Sequence, residues 1–440
     1  MAKQKVFYEY QKITSDDIGE RDFKELRSFV LKQEDEGVNN YVPFDELKIE
    51  ETSACMKLSS DKRGREVLTI KNYVGTIQLS SGTTIEILPK IYQNSEKDNT
   101  TQEEKARKIV VEMLKNCGLI KYKSFQSAKL NIASLPIFEV YIRLFLSEVF
   151  DLYQKGLKSG YVQKEENEKF FRGKLLFSKH IKYNFSHAER FYIQYDEFNV
   201  NRPENRLIKT TLFYLRSITQ EENNKREIRR LSMVFDEVDK SESIDADFAK
   251  CVGGRNMKEY ENVLAMCKVF LKGYSFSSYS GKNNTIALLF PMEKLFEYYV
   301  AKKLKEQLKN KKWKVDLQKR GTYLFDTFNS NKKNMFALRP DIFIYNENQE
   351  AIILDTKWKV LNDNANENFG ISQADMYQMH AYYSRFNNVK GIILLYPAIS
   401  EKEVNYKWEK IQEKENINAI TIKVEEENFA ETIEKAINQI

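Results

Sequence analysis

The sequence predicts a multidomain α/β protein, α+β in overall organisation. A β-rich domain spans residues 1–99 and a mainly helical middle region with some β elements spans 100–285. A C-terminal mixed sheet flanked by helices spans 286–440. Three observations carry this. The 440 residues exceed what one hydrophobic core usually serves. Apolar residues make up 42% of the chain and aromatics 13%, enough to build several cores and too much for a disordered chain. The apolar period also changes along the chain, from alternation to helical spacing and then to short apolar runs separated by turns.

From Phe7 to about Tyr92, apolar and polar residues alternate in short runs such as LTIKNYVGTIQLSSGTTIEILPKIY, with Ser80-Ser81-Gly82 as a turn. The polar stretch QNSEKDNTTQEEK closes this domain near Asn99, and helical spacing follows in ARKIVVEMLKNCGLI and SLPIFEVYIRLFLSEVFDLYQKGL. Strand-like segments in GYVQKEENEKFFRGKLLFSKHIKYN and RFYIQYDEFNVN then give way to a helix starting near Pro203, and charged helices run to about Gly273. The Ser/Gly/Asn run GYSFSSYSGKNNT marks a linker or an ordered loop. From Pro291 the helix MEKLFEYYVAKKLKEQL precedes strands at KVDLQ, GTYLFDTF, LRPDIFIY and AIILDTKWKV. A further helix runs from about Ser372 to Phe386, opened by a capping box of Ser372 with Asp375, and GIILLYP is the next strand. Helix, strands, helix, strand is the order of a sheet with helices on its faces.

Several functions are excluded or left without support. The 70 basic and 64 acidic residues give a net charge of only +6, so a DNA-binding surface must be local or supplied by a partner. The N-terminus MAKQKVFYEYQK has no apolar signal core and the apolar stretches are short, which predicts a cytoplasmic protein that does not span a membrane. Cys55, Cys117, Cys251 and Cys267, with His180, His187 and His380, show no zinc spacing. No Gly-rich phosphate loop is present, since Gly253-Gly254-Arg255 lacks a following Lys-Ser/Thr, so the chain is not expected to hydrolyse nucleotides itself. The basic run Lys302 to Arg320, with Trp313 and Tyr323 nearby, reads equally as a DNA path or as a solvated helix flank.

The most informative local pattern is Arg339-Pro340-Asp341, then the turn-rich NENQE, then Leu354-Asp355-Thr356-Lys357. Strand alternation puts Asp355 and Lys357 on one face, and an antiparallel hairpin brings Asp341 beside Asp355. Two acids so placed suit Mg²⁺, with the Thr356 backbone carbonyl as a third ligand. Lys357 is then placed to orient or deprotonate an attacking water and to stabilise developing negative charge. Glu297, on the preceding helix, is a further candidate ligand, and Gln378 and Tyr382, four apart, share a helical face. The competing reading makes Asp341 a turn residue and Asp355–Lys357 an exposed ion pair. The apolar run Ile352-Ile353-Leu354 weighs against it, because it marks a central strand where an unpaired acid is costly.

The segments RPD, ILDTKWK and DMYQMHAYY resemble the PD-(D/E)xK nuclease superfamily, restriction-endonuclease-like in fold, and QMHAY resembles the QxxxY variant of its RecB-like members. IEILPKIY (85–92), GYVQKEENEKFFRGKL (160–175), YDEFNVNRPENRLIK (195–209) and PMEKLFEYYV (291–300) resemble the McrC family, the nuclease subunits of McrBC modification-dependent restriction systems. This resemblance implies a Mg²⁺-dependent endonuclease subunit that cuts modified, methylcytosine-containing double-stranded DNA. It also implies an McrB-like AAA+ GTPase hexamer as partner: the partner binds and hydrolyses GTP, and this chain engages it through its N-terminal portion and stimulates it. Asp341, Asp355 and Lys357 match the family's catalytic set, Gln378 and Tyr382 its helix motif, and Glu297 its acid before the core. Arg172, Lys174, Asp196, Glu197, Asn205 and Arg206 fall in family-like segments, where framework and partner-facing roles are both open. Two other readings compete: a self-sufficient restriction nuclease, and a non-catalytic activator of a AAA+ ring. The intact acids and lysine disfavour the second, and the lack of a zinc finger or strongly basic recognition helix disfavours the first.

Overall fold

The alternating N-terminal sequence forms two small sheets in a computed structural model of the chain. The structure describes residues 4–36, 54–90, 99–114, 116, 135–187, 189–251, 259–272, 286–309, 311–328, 331–362, 364–398, 404–410, 415–424 and 428–440. Cys117, Gly253-Gly254-Arg255 and the GYSFSSYSGKNNT run lie outside these residues. The chain divides into two compact units, Met1–Ile137 together with Gly281–Ile440, and Phe138–Ser280.

In the first unit the N-terminal elements are β1 (Gln4–Tyr8), β2 (Lys12–Ile13), α1 (Glu20–Glu36), β3 (Met56–Ser60), β4 (Glu66–Ile70), β5 (Tyr73–Gln78), β6 (Thr84–Leu88) and α2 (Asn99–Leu114). Strands β2, β4 and β3 form one antiparallel sheet. The expected turn closes the β5–β6 hairpin: Leu79 N–H donates to the Thr83 carbonyl at 2.9 Å, and Gly82 takes the positive φ of 85°. Parallel β1 extends this hairpin on one side. Apolar faces of both sheets and α1 share a core that includes Phe7, Ile13, Leu26, Val30, Leu68, Ile77 and Ile87. Buried Glu86 is compensated by the Arg107 guanidinium of α2, 2.9 Å away.

The second unit contains α3 (Ile137–Lys155), β7 (Gly160–Glu168), β8 (Lys174–Leu175), α4 (Phe177–Asn184), β9 (Phe191–Asn199), α5 (Pro203–Ile218), α6 (Glu222–Val234), α7 (Ile244–Lys250) and α8 (Glu261–Lys272). Pro203 opens α5, where its missing N–H costs nothing. Two of the residues left open above are framework groups. Asn205 donates to the carbonyls of Lys158 and Val200 and accepts from the Tyr260 hydroxyl, and Arg206 forks onto the Asp247 carboxylate at 2.6 and 3.0 Å. The other four belong to the β7-β9-β8 sheet and its rim, where Lys174 and Asp196 are exposed, Glu197 pairs with Lys164, and Arg172 lies over the Tyr195 ring.

The first unit resumes with β10 (Ile286–Pro291), α9 (Met292–Leu308), β11 (Lys314–Leu317), β12 (Thr322–Phe328), β13 (Asn331–Leu338), β14 (Ile342–Tyr345), β15 (Ala351–Thr356), α10 (Gln373–Arg385), β16 (Val389–Pro397), β17 (Asn405–Lys410), β18 (Glu415–Ile422) and α11 (Phe429–Asn438). Although β10 falls in the segment expected to open the C-terminal domain, it pairs antiparallel with β5 and completes the sheet β1-β6-β5-β10. Gly75 permits this approach: with φ at 133°, a Cβ there would lie 1.9 Å from the Leu288 carbonyl oxygen. The second sheet has the order β11-β14-β15-β16-β18-β17, with β15, β16 and β18 parallel and the remaining neighbours antiparallel. This is the mixed α/β arrangement the sequence predicts. Its central strand β15 is buried along its whole length, as its continuous apolar run implies. Strands β12 and β13 form a separate two-stranded ribbon. Among the described residues no helix is long and apolar enough to cross a membrane.

Candidate functional site

The NENQE segment is the predicted turn. Asn346 N–H donates to the Glu350 carbonyl at 3.1 Å, the Asn346 side chain bonds Glu350 twice, and Gln349 adopts φ 58°. The hairpin register pairs Ile342 with Leu354, so the next pair along is Asp341 with Asp355. Asp341 Oδ2 accepts from both the backbone N–H and the hydroxyl of Thr356, each at 2.8 Å. Thr356 thus fixes the orientation of Asp341, a role its sequence position did not suggest. On the face shared by alternate residues, Lys357 Nζ lies 2.6 Å from Asp355 Oδ2. The Lys357 N–H donates to the Leu395 carbonyl of β16, continuing the ladder through this residue.

Two helices complete the cluster. Helix α9 delivers Glu297, which is buried and accepts from Lys294 Nζ at 3.0 Å and Gln318 Nε2 at 2.9 Å. The Gln318 N–H also donates to the Asp341 carbonyl at 2.9 Å, so this one residue ties Glu297 to the hairpin. From α10, Gln378 Oε1 accepts from Lys357 Nζ at 3.2 Å while its Nε2 donates to the Tyr382 hydroxyl at 2.8 Å. That hydroxyl in turn donates to the Arg339 carbonyl at 3.1 Å. Ser372 and Asp375 form the predicted capping box, and Asp375 also reaches Lys359 at 2.6 Å and Lys357 at 3.7 Å. All six residues singled out in the sequence therefore meet. Gln318 and Lys359 join them without any sequence signal, and Asp375, read from the sequence only as a helix cap, joins as well, because these contacts cross between elements rather than follow a period.

The electrostatics follow from burial. Asp355 is held well above the usual carboxylate range, first by desolvation and then by the charge of Asp341, with Lys357 pulling the other way. Glu297 is raised for the same two reasons, opposed by Lys294 and Gln318. Burial lowers the Lys357 pKa, yet Asp355, Asp341 and Asp375 outweigh it and the net shift is upward. Held in this way, the Lys357 ammonium is a charge and a hydrogen-bond donor at the site. Among the described residues no group of three Asp, Glu, His or Cys side chains is already gathered as a ligand shell. The donor set nevertheless fits a hard cation, because it consists of carboxylate oxygens whose mutual repulsion a divalent ion would relieve.

In the basic run, Trp313 is buried, Lys311 pairs with Glu434, and Lys319 sits 3.7 Å over the Phe343 ring. Part of that charge is thus committed to internal contacts.

A family model described as McrBC 5-methylcytosine restriction system component matches residues 68–397, a span that holds every candidate site residue. Among solved structures, the chain is similar to one from a tetradecameric assembly of Thermococcus gammatolerans McrB AAA+ hexamers with bound McrC. That match has 18% identity and a TM-score of 0.68, and it covers 98% of this chain and 100% of the other. A chain of the Thermococcus gammatolerans McrBC complex matches at 20% identity and a TM-score of 0.47, over 69% of this chain and 88% of that one. No curated protein matches the chain.

Proposed function

Because the chain belongs to the McrBC 5-methylcytosine restriction system component family, we propose that it is the DNA-cutting subunit of such a system, with a PD-(D/E)xK nuclease core built on β14, β15 and α10. One observation carries this reading: the buried acid Asp355, the partly buried acid Asp341 and a lysine are held within one hydrogen-bonded cluster at the edge of a central strand. Burying such charges costs several kcal/mol or more unless a partner charge, hydrogen bonds or a metal offsets it, and a cost retained at one site points to function.

Mg²⁺, held by Asp341 and Asp355 with Glu297 and the Thr356 carbonyl as further donors, would supply charge neutralisation and water activation at the attacked phosphate. The chain's own groups do the positioning. Thr356 aims Asp341, Gln318 aims Glu297, and the Lys357 ammonium donates to the negative charge that builds on the phosphate oxygens. Gln378 and Tyr382 anchor Lys357 to the Arg339 carbonyl, so the donor is fixed before substrate arrives.

The shifted acids predict a pH signature. Asp355 and Glu297 bind protons more tightly folded than unfolded, so their contribution to stability is complete below the unfolded carboxylate range and is lost as pH rises through about 7. Metal-free protein is expected to melt at a lower temperature at about pH 8 than at about pH 6, and Mg²⁺ to raise the melting temperature more at the higher pH. Thermal unfolding in EDTA and in MgCl₂ checks this. A Mg²⁺ effect larger at the acidic end would contradict the assignment.

The partner in this reading is a AAA+ GTPase hexamer of the McrB kind, which supplies GTP hydrolysis and recognition of the modified base. Its docking surface on this chain is the β7-β9-β8 sheet with α4, where Phe170, Phe177 and Phe185 are 81%, 70% and 91% exposed. Exposed aromatics concentrated around one small sheet are typical of a protein interface. Replacing these three phenylalanines together by serine is expected to reduce stimulation of the partner's GTPase by about 10-fold or more while leaving the melting temperature unchanged. Stimulation at the wild-type level would remove this surface from the interface.

The function itself is tested by incubating the full chain with its partner GTPase, GTP, Mg²⁺ and methylcytosine-containing duplex DNA. Cleavage is expected only when all are present. Cleavage of unmodified DNA by this chain alone would contradict the reading and support a self-sufficient enzyme.

A further inference from the structure

The N-terminal sheet reaches into the cutting site through one buried carboxylate. Glu9 follows β1 and extends its pairing, with its N–H donating to the Leu88 carbonyl at 3.1 Å. Its side chain is 2% exposed. Oε2 accepts from the Trp358 indole N–H at 3.0 Å and from the Lys90 backbone N–H at 3.1 Å, while Oε1 is buried without a hydrogen-bond partner. Trp358 directly follows Lys357 and is itself buried. Its ring packs on Phe296, with centroids 5.1 Å apart, and Phe296 directly precedes Glu297. One indole thus stands between the segment that delivers Lys357 and the helix that delivers Glu297, and its only polar atom is held by a residue 349 positions away.

Packing alone does not require an acid here. A buried carboxylate with one oxygen unsatisfied is costlier than an apolar residue of similar size. Burial pushes Glu9 up to about 7, against the pull of Trp358 and Lys90. The indole that this carboxylate holds is therefore fixed in place by a directional hydrogen bond as well as by shape.

We propose that Glu9 is a positioning residue for DNA cleavage: by holding Trp358 it sets the placement of Lys357 and Glu297, and so makes the N-terminal sheet part of the cutting site. This inference rests on the nuclease reading above. The test compares Glu9→Gln, which can accept both hydrogen bonds, with Glu9→Leu, which accepts neither, and with Trp358→Phe, in single-turnover cleavage of methylcytosine-containing DNA by the full chain with its partner GTPase. Glu9→Leu and Trp358→Phe are expected to slow cleavage by about 10- to 100-fold with DNA binding unchanged, and Glu9→Gln to restore most of the rate. The double variant Glu9→Leu/Trp358→Phe should be no slower than either single one, because both break the same link. Wild-type cleavage by Glu9→Leu, equal slowing by Glu9→Gln, or fold-reductions that multiply in the double variant would each overturn the proposal. Should Glu9→Leu fail to fold, Trp358→Phe decides, and wild-type cleavage by it overturns the proposal. Asp355→Ala separates the two readings. If it still cuts, the nuclease site is wrong; if it is silent while Glu9→Leu cuts normally, only the positioning role is wrong.

Discussion

Replacing Asp355 by alanine is expected to abolish DNA cleavage, with a loss on the order of 10³-fold or more, comparable to removal of a principal transition-state stabiliser. Three consequences of the geometry act together in this variant. A carboxylate donor for the cation is removed. The Lys357 ammonium loses its partner at 2.6 Å and retains Asp375 at 3.7 Å, so it is drawn away from the reacting phosphate. The repulsion that Asp341 and Glu297 exert on the Asp355 carboxylate is also removed, which changes the charge that a cation would neutralise. Gel analysis of methylcytosine-containing DNA after incubation with the partner, GTP and Mg²⁺ reads this directly. Cleavage at the wild-type rate would remove Asp355 from the site.

Deleting residues 1–90 is expected to unfold the rest of the first unit, not simply to detach a partner-binding module. Strand β10 would lose its whole ladder with β5, from Ile286–Gln78 to Pro291–Tyr73. Helix α9, which carries Glu297, would lose the bond from its Met292 N–H to the Asn72 carbonyl. Ala287 and Leu289 would lose the core they pack into, and the Trp358 indole would lose Glu9. Together these are comparable with the about 5–15 kcal/mol of stability that a domain usually has to spare. Limited proteolysis and thermal unfolding of the shortened chain should show early cleavage within 286–440 and no cooperative transition. A cooperative melt near the wild-type temperature would show that the C-terminal sheet folds without the N-terminal one.

The difference between what the sequence disclosed and what it concealed is a difference between local and distant contacts. Asp341, Asp355 and Lys357 were legible because strand alternation and a five-residue turn determine which side chains meet across a hairpin. Gln378 and Tyr382 were legible because helical spacing alone places them together. No period connects Gln318 to Glu297, β10 to β5, or Glu9 to Trp358, since each pairing depends on how separate elements pack. Strands β17 and β18 and helix α11 also extend the architecture beyond the last strand predicted at GIILLYP. Lys357 shows a further limit. Its position was readable, but its protonation depends on three carboxylates, one of which, Asp375, the sequence marked only as a helix cap.

The central claim is that cutting and partner stimulation reside in different parts of this chain. It is tested most directly by measuring both activities of Lys357→Ala in one reaction with the partner GTPase, GTP, Mg²⁺ and methylcytosine-containing DNA. The account predicts no detectable cleavage and GTP hydrolysis stimulated as strongly as by the wild-type chain. Cleavage at the wild-type rate, or loss of stimulation in a variant that still folds, would contradict it.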